Sequence, residues 1–126
     1  MKKIKFFAIA AMAVLMMSCG SKPYDEGTVN DLREKVFSLT PEDYPEVVKQ
    51  VDGILTYFEQ KYTAEEIKEN DRKVMMGEDG FGSDTELFKT MNLLDSALTG
   101  MDDQMDEATK KAYDKYQERR KALRAF

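Results

Sequence analysis

The chain has 126 residues, a formal net charge of -5, no histidine and a single cysteine. A chain of this length supports one domain with a modest core, and its acidic balance is opposite to the basic face that general nucleic-acid binding requires. Without histidine, the commonest general base and transition-metal ligand are missing, so Ser-His and Cys-His catalytic systems are excluded in their usual form.

The N-terminus has the layout of a secretory signal peptide. Three lysines within the first five residues precede an uncharged apolar run over residues 6–17, and the small residues Ser18 and Gly20 flank Cys19. The apolar run is shorter than the ~20 residues of a transmembrane helix. We therefore predict that residues 1–18 are a cleaved targeting segment. Their removal takes away three lysines and no acid, so the net charge becomes -8.

The segment LMMSC, residues 15–19, resembles the lipobox of bacterial lipoproteins. Leu15 lies one residue further from the cysteine than in the usual pattern, and this spacing, with the following Gly20 and Ser21, is similar to lipoproteins of the Bacteroidetes. The resemblance implies that Cys19 carries more than one acyl chain, which is enough for stable anchoring. The alternative is an ordinary signal peptide cut nearby, with Cys19 left as a free thiol.

The resemblance implies a location at the cell membrane or outer membrane, on the periplasmic or surface side. Residues 19–27, which begin at the lipidated Cys19, are small and polar and are predicted to form a tether. Residues 28–126 are predicted to form a helical domain close to the bilayer.

Apolar residues recur at helical spacing from Thr28 onward, with Thr28 or Asn30 available as the cap of a first helix. The stripe of this helix is Val29, Leu32, Val36 and Leu39. The segment Thr40-Pro41-Glu42-Asp43 then predicts a new helix start, with an N-cap, a proline at the first position and acids in the first turn. The helix that follows has the clearest stripe in the chain, formed by Tyr44, Val47, Val48, Val51, Ile54, Leu55, Phe58 and Tyr62.

Three further helices are predicted from caps and stripes. Thr63 and Glu66 form a capping box for a polar edge helix that runs to about Met76. Ser83 and Glu86 form another box, for a helix that buries Leu87, Phe88, Met91, Leu94 and Leu98 and ends at Gly100. The last helix is expected to begin near Asp102 and to bury one face formed by Met105, Ala108, Ala112, Tyr116 and Leu123.

No segment of the mature chain alternates with period two over a useful length, so no strand is predicted. The links between helical segments are short, which favours antiparallel neighbours. The sequence therefore predicts an all-α fold, a small antiparallel bundle of four to five helices.

The glycine-rich loop before the fourth helix offers two candidate sites. Glu78, Asp79 and Asp84 are oxygen ligands near glycines, the ingredients of a calcium loop, but they lack EF-hand spacing and are better explained as capping and first-turn groups. No metal or cofactor is therefore predicted. Phe81 between two glycines is either an exposed contact residue or an aromatic folded back onto the core.

The last helix has acids at its start and a basic end formed by Arg119, Arg120, Lys121 and Arg124. The favoured interpretation is that these cations complement the helix dipole and pair with a neighbouring helix, for example with Glu65, Glu66 and Glu69. The alternative is a basic tip that binds anionic headgroups, an envelope polyanion or an acidic partner.

The sequence contains no pair of residues that points to catalysis. We expect a non-enzymatic, lipid-anchored envelope protein that acts as a protein-interaction or structural module, with an envelope protein or a second copy as partner and no nucleic acid. The alternative is a binder of a small ligand or an envelope polysaccharide, through an inter-helix groove near Phe81 or through the basic end of the last helix.

Overall fold

The structure, a computed structural model, describes residues 22–125, so Cys19 and the predicted targeting segment lie outside it. Within that range the chain forms five α-helices and no strand, which confirms the predicted small all-α bundle. The helices are α1 (Glu26–Glu34), α2 (Tyr44–Lys61), α3 (Ala64–Met75), α4 (Thr85–Leu98) and α5 (Glu107–Ala122). None of these helices combines the length and the apolar character needed to cross a membrane.

Helix α2 is the centre of the bundle and contacts all four other helices. It follows a turn of 3-10 helix over Pro41–Asp43, where the predicted cap at Thr40 forms a capping box with Asp43. The predicted stripe is buried from Tyr44 to Phe58, and Tyr62 at its end is half-buried. Apolar residues at this spacing form a continuous face, and burying that face against four neighbours supplies most of the core.

Helix directions follow from two contacts at the end of α2. The ring of Phe58 lies 5.3 Å from the ring of Phe88 at the start of α4, so α2 and α4 are antiparallel. Glu59 pairs with Arg119 near the end of α5, so α2 and α5 run parallel. Helix α4 therefore runs opposite to α2, and α5 lies alongside α2 with the same direction.

A cluster of aromatic rings fills the core where α2, α4 and the loop before α4 meet. Phe58 is at its centre, with the rings of Tyr57, Tyr62, Phe81 and Phe88 at centroid distances from 4.9 to 5.8 Å. Most of these pairs are edge-to-face, the arrangement that ring quadrupoles favour. The cluster therefore packs the loop before α4 against the apolar faces of α2 and α4.

Gly53 on α2 is the place where the N-terminal segment crosses the bundle. A Cβ atom at Gly53 would lie 2.1 Å from the carbonyl oxygen of Pro23, so only glycine allows this approach. Tyr24 is buried beside it, with its ring edge-on to Tyr57 at 5.6 Å. Residues 23–25 therefore belong to the fold and are not part of the tether that was predicted over residues 19–27.

Helix α1 starts two residues before the predicted domain boundary at Thr28. Its N-cap is Asp25, whose carboxylate accepts hydrogen bonds from the Thr28 backbone N–H at 2.9 Å and from the Thr28 hydroxyl. Neither Thr28 nor Asn30 is the cap. The difference arises because Asp25 is fixed by a second contact, in which its N–H donates to Gln50 on α2 at 2.7 Å.

Helix α3 lies at the edge of the bundle, as predicted. Its capping box is present, with the Glu66 N–H donating to Thr63 at 3.1 Å and the Thr63 N–H donating to Glu66 at 2.8 Å. Only Ile67 and Asp71 are buried in this helix. Because Met75 is 62% exposed, the thin apolar set of α3 is thinner than the sequence indicated.

The predicted cap of α4 at Ser83 is wrong. A turn of 3-10 helix over Gly82–Asp84 precedes the helix, and Asp84 occupies the N-cap position without a side-chain cap bond. The first residue of the helix, Thr85, instead accepts a hydrogen bond from the Phe81 N–H at 3.0 Å. This bond holds the loop over the core. Its contribution, together with the burial of Phe81, outweighs the local capping preference of Ser83.

The start and the buried face of the last helix also differ from the prediction. The helix begins at Glu107 with Asp106 as its N-cap, after a separate 3-10 turn over Asp102–Gln104. Of the predicted face, Tyr116 and Leu123 are buried and Met105 is half-buried, but Ala108 and Ala112 are exposed. Tyr113 and Arg120, which were not predicted, are buried instead. The helix turns its tyrosines and an arginine inward because α4 supplies polar partners for their hydroxyl and guanidinium groups.

Candidate functional site

Arg119, one of the four predicted binding residues, is engaged by α2. It pairs with Asp52, pairs with Glu59 at 2.7 Å and donates to the Thr56 hydroxyl at 3.0 Å. Burial lowers the pKa of Arg119, but the hydrogen bond and charge of Glu59 outweigh it and the pKa is raised. Arg119 therefore joins two parallel helices along their exposed seam.

Arg120 is a core residue, only 2% exposed. Its guanidinium carbon lies 5.1 Å from the Phe88 ring centre, and Nη2 donates to the Asn92 side chain at 3.0 Å. Asp71 on α3 is its nearest carboxylate, at 3.8 Å. Burial lowers the pKa of Arg120. Since this side chain is enclosed between α3 and α4, its predicted role at a binding tip is wrong.

Arg124 belongs to a buried carboxylate site on α4. Asp95 accepts hydrogen bonds from the Tyr113 and Tyr116 hydroxyls at 3.3 and 3.2 Å, and Arg124 pairs with it at 3.4 Å. Burial, followed by the charge of Asp95, raises the pKa of Tyr113 to about 12 and raises that of Tyr116 further. Two phenols and a cation thus surround one carboxylate, an arrangement that satisfies buried polar groups.

Lys121 is the one member of the predicted tip that faces solvent without an ion pair among residues 22–125. The other three are bound to carboxylates of α2, α3 and α4. Those carboxylates are not the predicted ones, because Glu65 and Glu66 lie at the start of α3, and Glu69 pairs with Arg72 on its own helix. The structure therefore shows internal pairing of the basic end, with different acids.

Phe81 is buried, 4% exposed, with its ring 4.4 Å from that of Phe88 and 4.9 Å from that of Phe58. The expectation of an exposed contact residue is wrong, and the alternative, an aromatic folded onto the core, is the observed state. Burying an aromatic ring against two others is more favourable than leaving it in water.

The calcium candidates do not share a site. Asp84 accepts hydrogen bonds from Lys61 at 2.8 Å and from the Tyr62 and Tyr57 hydroxyls at 3.0 and 3.1 Å, whereas Glu78 and Asp79 are exposed. Burial raises the pKa of Asp84, but these three hydrogen bonds outweigh it and the pKa is lowered. No group of three potential metal-ligating side chains occurs within residues 22–125.

An apolar groove that sequence reasoning missed lies on the surface beside Phe37. The side chain of Phe37, in the 3-10 turn after α1, is 96% exposed, and Leu93 on α4 is 37% exposed. Beside Phe37 lies a depression of about 310 Å³, which we name the Phe37 groove. Its lining residues are Val36, Phe37, Leu39, Tyr44, Leu93, Ser96, Ala97 and Met101.

A second concavity, the polar cleft, lies at the other end of α1. It has a volume of about 250 Å³ and is bounded by α1, the start of α4 and the N-terminal segment. Asn30, Arg33, Ser83 and Thr90 contribute polar groups, and Arg33 already donates to the Thr90 hydroxyl at 3.3 Å. The cleft therefore offers both hydrogen-bond donors and acceptors to a small polar ligand.

Comparison with known proteins gives no relative from which a function can be transferred. No family model matches the chain, and neither a curated protein nor a solved structure matches it. The two concavities and the N-terminal segment are therefore the features from which a function is argued.

Proposed function

We propose that this chain is a lipid-anchored, non-enzymatic protein of the bacterial cell envelope that acts as a protein-interaction module. The Phe37 groove is the observation that carries the proposal. A phenylalanine that is 96% exposed beside an apolar depression costs free energy in water and regains it when a partner covers it. Aromatic anchors of this kind are typical of the centres of protein interfaces.

The anchor is supported by the resemblance at Cys19 and by the short separation in sequence between Cys19 and the fold. Only residues 20–22 separate the cysteine from Pro23, which packs over Gly53. Three extended residues span roughly 10 Å. A lipid on Cys19 would therefore hold the domain directly against a cell membrane or outer membrane, on its periplasmic or surface side.

The non-enzymatic part of the proposal is supported by the roles of the charged groups. The carboxylates of Asp84 and Asp95, which combine burial with several hydrogen bonds, are each surrounded by two tyrosine hydroxyls and one cation. The partners of Asp84 lie on or at the end of α2 and those of Asp95 lie on or just after α5, so each carboxylate joins α4 to a neighbouring helix. Such an arrangement explains the shifted pKa values of Asp84, Tyr113 and Tyr116 by structure, without a catalytic role.

Ligand binding is the second candidate function, and the polar cleft is the observation in its favour. The predicted positions for it, Phe81 and the basic end of α5, are buried or internally paired except for Lys121. The cleft offers hydroxyl, amide and guanidinium groups that suit a sugar. Titration with an N-acetylglucosamine disaccharide should then shift the NMR signals of Asn30 and Thr90, and unchanged signals would remove this candidate.

The anchor is tested by Cys19→Ala in the full chain. We expect the protein to move from the membrane fraction to a soluble or unprocessed form, because no helix in the described part of the chain can span a membrane. Membrane association that still requires detergent after the substitution would contradict the anchor.

The interaction surface is tested by placing a photo-reactive amino acid at Ser96, an exposed position in the Phe37 groove. Irradiation of intact envelopes should give a discrete protein adduct. The adduct should disappear with Phe37→Ser and persist with Met76→Ser, a matched control at a methionine that is 71% exposed elsewhere. Absence of any protein adduct would contradict the interaction function.

A further inference from the structure

The patch around Phe37 contains both a protruding group and a depression. The Phe37 ring projects from the turn Val36–Ser38 into solvent, and the depression of about 310 Å³ lies immediately beside it. A cavity of ~150 Å³ is sufficient to bind benzene. The groove is therefore large enough to accept an aromatic ring of the same size as the one that projects next to it.

The charges on either side of the groove are opposite. Lys89 lies one helical turn before Leu93 on the exposed face of α4, and its only ion pair among residues 22–125 is a weak, exposed one with Glu86 at 3.7 Å. At the other end, Met101 lines the groove and is followed directly by Asp102 and Asp103. The patch thus has one weakly paired cation a helical turn before Leu93 and two acids directly after Met101.

Ser96 lies midway in sequence between Lys89 and Asp103, and its exposed side chain lines the groove. A two-fold axis near Ser96 would place α4 antiparallel to α4 of a second copy. Each Phe37 ring would then face the groove of the other copy, and each Lys89 would face the acidic end. A two-fold interface requires one patch to be complementary to itself in this way.

We propose that the partner that covers the Phe37 groove is a second copy of this chain, related by a two-fold axis close to Ser96. The inference rests on the proposed function in that it takes the groove to be a protein contact surface. A different partner would need only an apolar surface that covers the groove. A second copy, by contrast, requires that one patch carry the ring, the groove and the opposite charges together.

The proposal is tested in intact envelopes, because a shared membrane raises the effective concentration of anchored copies. Ser96→Cys in the full chain is treated with a short bismaleimide, with the parent chain, which has only Cys19, as background. We expect a cross-linked species with twice the chain mass. Phe37→Ser should reduce its yield at least about tenfold, the effect of losing one buried aromatic side chain, and Met76→Ser should leave it unchanged.

Charge reversal provides a test specific to a symmetric partner. Lys89→Glu alone and Asp103→Lys alone should each lower the yield, because each places like charges opposite one another. The double variant restores opposite charges across the axis and should recover the yield. A double variant that cross-links no better than the worse single variant would overturn the two-fold arrangement.

The outcomes separate this proposal from the interaction function itself. No cross-linked dimer at Ser96, or a dimer unaffected by Phe37→Ser, overturns self-association. If the photo-reactive group at Ser96 then joins a protein of another mass, the interaction function stands with a different partner. If it joins no protein, both proposals fail.

Discussion

Replacing Gly53 by alanine should destabilise this protein, although alanine is the better helix former. Gly53 lies inside α2, where alanine would ordinarily add about 1 kcal/mol of helix stability. The added methyl group would meet the Pro23 carbonyl oxygen at 2.1 Å, and this neighbour is backbone that cannot move aside by changing a rotamer. The substitution must therefore displace the segment over Pro23 and Tyr24.

The displacement removes two interactions. Tyr24 is 9% exposed, and returning a large apolar side chain to water costs about 1.5 to 3 kcal/mol. The hydrogen bond from the Asp25 N–H to Gln50, 2.7 Å long, contributes about 1 kcal/mol more. After the gain from alanine is subtracted, the expected net loss for Gly53→Ala is about 1.5 to 3 kcal/mol.

Urea unfolding of residues 22–126, followed by far-UV circular dichroism, measures this loss. Gly27→Ala is the matched control, because Gly27 is also helical and its added Cβ would meet only Asp25 Oδ2, at an ordinary 3.7 Å. The control should be neutral or stabilising by up to about 1 kcal/mol. If Gly53→Ala is as stable as the parent chain, the N-terminal segment does not pack over α2 and the reasoning is wrong.

Four further substitutions test the core, the basic end and the pH dependence. Phe58→Ala should cost about 3 to 5 kcal/mol of unfolding free energy, because it empties the centre of the aromatic cluster; a small shift in the urea midpoint would show that the ring is not enclosed. Arg119→Gln should lower stability by roughly 1 kcal/mol, and Lys121→Gln should change it by less than about 0.5 kcal/mol; equal effects in urea unfolding would contradict the pairing with α2. Since the pKa of Asp84 is lowered in the folded state, its contribution is present above the pKa of the unfolded carboxyl group and is lost as the pH falls through the folded pKa. Urea unfolding at a series of acidic pH values should therefore show a smaller loss of stability for Asp84→Asn than for the parent chain, and equal losses would contradict the role of these hydrogen bonds.

The sequence predicted those elements whose signals are local and apolar. The stripe of α2, the cap at Thr40, the capping box at Thr63 and the buried face of α4 are present as expected. These features depend on spacing within one helix and on hydrogen bonds over three residues. They require no knowledge of which helices are neighbours.

The face of α5 was predicted only in part, at Tyr116 and Leu123. Its buried residues Tyr113, Tyr116 and Arg120 carry polar groups, and burial of such groups is favourable only because Asp95 and Asn92 lie opposite them on α4. A stripe of alanines on the same helix gave a more apolar pattern and was exposed. The partner of a buried polar group is a property of the packed bundle, which the sequence of one helix does not contain.

The Phe37 groove was missed for a related reason. Val36 was predicted to lie on the stripe of the first helix; it is buried, but it belongs to the 3-10 turn after α1. Phe37 follows it and fits no helical stripe, which is a weak signal by itself. The groove forms because the turn after α1 lies against Leu93 and Ala97 on α4, far away in sequence. An aromatic residue outside every predicted stripe was the one available signal.

The sparse packing of α3 has a consequence for local opening of the native state. With only Ile67 and Asp71 buried, this helix should exchange its amide hydrogens faster than α2 and at a free energy well below that of global unfolding. Asp71 also accepts the Ala125 N–H at 3.0 Å and is the nearest carboxylate to Arg120. Each opening of α3 should therefore also free the Ala125 N–H and remove the nearest carboxylate from the buried Arg120, so the residues after α5 should exchange together with α3.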